Sequence, residues 1–162
     1  MKNIKIILVA GVALFLTIAA LGNATMPDLA FGAIKTAVGM QTTFQHPGAM
    51  WRAITSPVWI YAIFVVILLT EATAAVVCWI GVARMWSARK DTAAFQRSTA
   101  LAQVGLGITA ALYFIGWLVI ANEWFEMWQS KELNVLPDAF RIFVSALLIL
   151  FLLGGREPER AR

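Results

Sequence analysis

The sequence predicts an all-α integral membrane protein: a four-helix bundle, antiparallel, with an ordered outer loop cap. Three observations predict it. Hydrophobic residues make up 60% of the 162 positions and charged residues only 14%, against about 45–50% and about 25% in soluble globules. The mean hydropathy is +0.77. Four apolar runs, at about 6–22, 57–83, 98–121 and 138–155, are each close to the ~20 residues that carry a helix across a hydrocarbon core. The segments between them hold the turn formers and most of the charge. A chain of this length suits one domain spanning 1–162.

The first run, IILVAGVALFLTIAALG, follows Lys2 and Lys5. It reads either as a signal peptide, with Ala20-Leu21-Gly22 as a small-x-small site, or as a retained helix. It exceeds the usual 7–15-residue signal core, so a retained helix is expected. Asn23-Ala24-Thr25 fits a glycosylation acceptor, but a helix C-cap and turn explains it without modification. Leu29, Ile34, Val38 and Met40 then suggest a short surface helix interrupted by Gly32 and Gly39. His46-Pro47-Gly48 reads as a turn. His46, the one histidine, is a loop polar residue or a pH sensor.

Ser56-Pro57 is a strong start for the second span, an N-cap hydroxyl followed by a first-turn proline. Trp51 and Trp59 flank it, as an interfacial aromatic belt would. Within the span one residue breaks the apolar pattern. Glu71 falls near the middle, where a charge costs roughly 3 kcal/mol on insertion scales. Arg84–Arg97 is a short basic connection, so the second and third spans are antiparallel neighbours. Gly105, Gly107 and Gly116 offer flat surface for close helix approach. The third helix is expected to continue as NEWFEMWQS, residues 122–130. Glu123 and Glu126 would then share one face, and Trp124 and Trp128 another. Pro137 and Asp138 start the fourth helix.

Charge placement sets topology. Lys2, Lys5, Arg84, Arg89, Lys90, Arg97, Arg156, Arg160 and Arg162 fall on one side. Lys35, Arg52, Lys131 and Arg141 fall on the other. The nine-residue side, with both termini, is expected to be cytoplasmic. This placement explains the net charge of +4 without nucleic acid. The single Cys78 allows no internal disulfide and reads as a packed small residue. One Cys and one His make no tetrahedral zinc site, and no haem attachment motif occurs, so no metal or cofactor is expected.

Three strings carry a resemblance: MWRAITSP at Met50–Pro57, Thr70-Glu71, and EWFEMWQS at Glu123–Ser130, with Ala139–Arg141 in support. On these the chain resembles a bacterial family of unknown function, described only as predicted small integral membrane proteins. The likeness runs over nearly the whole chain. It implies a four-helix fold in a bacterial inner membrane and brings no activity with it.

Two constellations remain. The first is intramembrane: Glu71 with Thr70 and Tyr113, and with Thr73, Thr17 and Ser145 at plausible depths. It reads as a neutral carboxyl gluing helices together or as a proton or cation relay; few polar stations accompany it. The second lies on the outer face: Arg52, Glu123, Trp124, Glu126, Trp128 and Arg141. It reads as an ion-paired lock between the outer loops, with Arg141 reaching an acid of the third helix, or as a cation or headgroup site with aromatic walls. No Ser/His/Asp pattern, P-loop or dinucleotide fingerprint appears. The expectation is a non-enzymatic accessory subunit that packs on another membrane protein or binds a lipid or small ligand. The alternative is a small transporter that uses Glu71.

Overall fold

The computed structural model describes residues 1–155. The basic tail residues Arg156, Arg160 and Arg162, used above for topology, lie outside the described residues. All regular structure among those described is helical. Helix α1 spans Lys2–Thr25, α2 Pro27–Val38, α3 Pro57–Ala88, α4 Thr92–Ser98, α5 Ala100–Ala111 and α6 Leu136–Gly154. Helix α5 continues without a break as a π-helical segment, Leu112–Trp124. Four helices are long and apolar enough to cross a membrane, α4, α5 and the π-segment counting as one.

Helix α3 is the spine, with α1 on one side and α5 on the other; α6 packs on α5 and closes the ring against α1. Lys2 Nζ donates to Arg89 O at 3.2 Å and to Thr92 Oγ1 at 3.0 Å. Lys5, 2% exposed, donates to Gly155 O at 3.1 Å. One end of the bundle therefore gathers the start of α1, the end of α3 and the end of α6. Neighbouring helices are antiparallel, as the predicted topology requires.

Close approach decides where α3 and α5 meet. A Cβ on Gly81 would stand 2.7 Å from Ala102 N, and one on Gly105 would stand 2.5 Å from Cys78 Sγ. Of the three glycines singled out in the third span, Gly105 alone fills this role. Gly107 has open space beside it, and Gly116 meets only a side chain of its own helix. Gly81, on the opposite helix, completes the contact.

Helix lengths differ. With 32 residues α3 measures about 48 Å, whereas α6 with 19 measures about 28 Å. A hydrocarbon core is about 30 Å thick, so α6 fits it and α3 overshoots. The overshoot at the end away from Lys2 is clothed by α2, whose Ile34 and Val38 pack with Met40, Ile60 and Phe64. Gly32 lies inside α2 and does not interrupt it; Gly39 ends it.

Two local expectations are corrected. Ser56 makes no side-chain cap bond; its carbonyl alone accepts from Ile60 N, and Pro57 starts α3. The basic connection after Arg84 is largely helical. Helix α3 runs on to Ala88, and Asp91 then caps α4 by accepting from Ala94 N at 2.8 Å. That backbone bond holds the Asp91 carboxyl below its ordinary value of 3.8.

Candidate functional site

Helix α1 ends abruptly. Pro27 has no N–H to give to the carbonyl four residues back, that of Asn23. Met26 N closes the last turn on Gly22 O, and Leu29 N and Ala30 N turn instead to Met26 O. Among the described residues the carbonyls of Asn23, Ala24 and Thr25 accept no backbone N–H. Helix α2 then continues along α3 beyond this break.

Glu71 lies opposite. Antiparallel register brings it to the break: Thr17 meets Trp79 through the indole N–H at 3.1 Å, and six residues further along α1 Asn23 Nδ2 donates to Glu71 Oε2 at 2.8 Å. The Glu71 side chain is buried, with 4% exposure. Of the proposed companions, Thr70 points elsewhere, its hydroxyl donating to Val66 O at 2.7 Å within α3. Tyr113 is buried with its ring 6.2 Å from that of Phe15. It lies within electrostatic reach of Glu71, but no hydrogen bond joins them. Thr17 serves Trp79, and Ser145 and Thr73 are exposed. The partner the sequence did not offer is Asn23; expected as part of a helix C-cap and turn, it instead lies in the last turn of α1, whose C-cap is Met26.

The cap at the end of the bundle opposite Lys2 is built around Arg52. Its Nη2 pairs with Glu126 Oε1 at 2.5 Å, and the two side chains are only 19% and 16% exposed. Arg52 Nε donates to Ala49 O at 3.3 Å, Nη1 to Glu123 O at 3.5 Å, and the guanidinium lies 5.6 Å from the Trp124 ring. Gln129 carries the network onward: its amide donates to Glu126 Oε2 at 2.9 Å and its carbonyl accepts from Phe44 N at 2.8 Å. Thr42 and Ser130 hydroxyls meet at 2.7 Å. The loop before α3 and the loop before α6 are thereby one body.

Three expectations for this cluster change. The helix does not reach residue 130. It stops at Trp124, and Glu126 takes a left-handed conformation with φ 55°. Glu123 and Glu126 therefore share no helix face: Glu123 takes the Asn122 amide and Glu126 takes Arg52. Nor do Trp124 and Trp128 stack along one side; Trp124 meets Trp51 edge-on at 5.6 Å and Trp128 meets Phe44 at 6.1 Å. Arg141 does not reach the third helix. It pairs with Asp138 on its own helix at 2.8 Å, both side chains well exposed.

Beside this network lies an open depression of about 630 Å³, lined by Phe44 through Ala49 with Arg52, Glu126 and Gln129. His46 stands on its rim, accepting Gly48 N at 3.2 Å. Among the described residues no group of three His, Cys, Asp or Glu side chains converges as a metal site would.

Four apolar crossings, a charge-gathering end and an aromatic-rimmed opposite end define a small polytopic integral membrane protein. The chain belongs to the family described as "Predicted small integral membrane protein (DUF2165)", whose model matches residues 1–155. No curated protein and no solved structure matches it.

Proposed function

We propose that this protein is a non-enzymatic membrane subunit that docks another membrane protein through its outer cap. The supporting observation is the state of the charges there. Arg52 and Glu126 neutralise one another and Glu126 is further tied by Gln129, so Arg52 is already committed within the cap. What it presents is aromatic: Phe44, Trp51 and Trp128 are 71%, 73% and 54% exposed. Exposed aromatic clusters on a pre-ordered scaffold suit a protein partner, because Trp and Tyr-like side chains anchor interfaces with little ordering cost. In this reading the basic end faces the cytoplasm of a bacterial cell and the cap faces outward.

Affinity capture from solubilised native membranes tests it. A stoichiometric membrane-protein partner is expected to copurify with the native chain and to be lost with the Trp51→Ala/Trp128→Ala double variant. Recovery of the chain alone, or as a homo-oligomer, would overturn the reading.

A further inference from the structure

The break between α1 and α2 carries an inference separate from the cap. Glu71 has no ion-pair partner: among the described residues the ion pairs are those of Arg52 and Arg141. Its hydrogen-bond donor is a neutral amide. One carboxylate oxygen, Oε1, accepts nothing among the described residues, and it is not among the sealed polar atoms of the interior, which are Gln96 Oε1 and Asn122 Oδ1. A small species can therefore reach it.

The neighbouring backbone is rich in free acceptors. Proline at position 27 releases the Asn23 carbonyl, and with only a bend at Met26 those of Ala24 and Thr25 have no backbone donor among the described residues either. Carbonyls at the C-terminal end of a helix carry the negative end of its dipole. Interrupted membrane helices use such ends, with unwound carbonyls, to hold cations. Asn23 thus contributes twice here, by the side chain that orients Glu71 and by a backbone oxygen left without its usual donor.

We propose that Glu71, Asn23 and the released carbonyls of the α1 end form a binding site for one monovalent cation of the sodium class. A single carboxylate matches a single positive charge. A divalent ion such as calcium takes 6–8 oxygens, usually several of them carboxylate, and among the described residues no group of three His, Cys, Asp or Glu side chains converges to supply them. The cation supplies the counter-charge that the helices themselves do not provide, and it bridges α1 to α3 where α1 stops.

The test uses the full chain in detergent, melted in sodium chloride and in choline chloride at equal ionic strength and fixed pH. Sodium is expected to raise Tm saturably; at ten times its Kd the folded-to-unfolded ratio rises about eleven-fold. Glu71→Gln should abolish the sodium response, whereas Glu126→Gln, in the outer cap, should retain it. Infrared spectra of the unmodified chain give a second reading that needs no variant: sodium should shift a carboxylate stretching band. Equal melting of the native chain in the two salts, or a sodium response that survives in Glu71→Gln, would overturn the site. So would stability that follows pH alone, the signature of a carboxyl that only takes up a proton.

Discussion

Replacing Gly81 with alanine tests how the membrane bundle is held together. The added Cβ would stand 2.7 Å from Ala102 N, 2.8 Å from its Cα and 2.9 Å from its Cβ. All three lie on or next to the backbone of α5, so no side chain can swing away. Ordinary contact begins near 3.4 Å, so α3 and α5 must separate by more than half an ångström at this point. Overpacking of this kind costs about 1–3 kcal/mol. Intrinsic helix propensity acts the other way, since alanine is favoured over glycine by about 1 kcal/mol in a helix interior. Gly107→Ala isolates that opposing effect, because nothing lies within 4 Å of a Cβ there. Unfolding in mixed micelles by titrated SDS, or thermal melting in detergent, should rank the proteins with Gly107→Ala at or above the native chain and Gly81→Ala clearly below it. Equal stability of the two variants would refute the view that a backbone-to-backbone contact sets the α3–α5 spacing.

Two further measurements follow from the cap around Arg52 and the opposite end of the bundle. Arg52→Ala leaves Glu126 half-buried without its charge partner and should destabilise the cap by about 2 kcal/mol, whereas Arg141→Ala removes an exposed pair and should change stability by less than about 1 kcal/mol. Amide exchange in the loop holding Phe44, fast in the first variant and unchanged in the second, checks both. The Asp91 cap of α4 has a lowered carboxyl pKa, chiefly from its bond to Ala94 N. Its contribution is fully present above the ordinary value of 3.8 and is lost as pH falls through the lowered one. Exchange at α4 amides should therefore quicken, beyond the intrinsic pH trend, only below about pH 4, and Asp91→Asn should remove that step.

The four crossings could be read directly, because lipid as solvent demands long apolar runs and this chain has four of them. Helix α4 could not. TAAFQRS is short and polar, and its place depends on Phe95, which is fully buried against the ends of other helices. The glycines of the third span announced a close approach, but which of them faces α3 depends on helix rotation, and Gly81 was hidden in a run of uniformly apolar residues. Glu71 stood out by its cost. Its partner did not, because pairing Asn23 with position 71 requires the register between α1 and α3. In the cap the residues were rightly grouped, but a helical reading of positions 122–130 assumed one continuous face. The left-handed turn at Glu126 breaks that face and hands its carboxylate to Arg52.

Lys5 reaches the last carbonyl of the described chain, and α6 closes the ring of helices against α1. Partners nearly the whole length of the polypeptide apart must therefore find one another late. Until α6 has been inserted, the flank of α1 that will receive it stays open to lipid, and the bundle is an arc. Any delay in delivering that final segment leaves an incomplete intermediate exposed to membrane quality control.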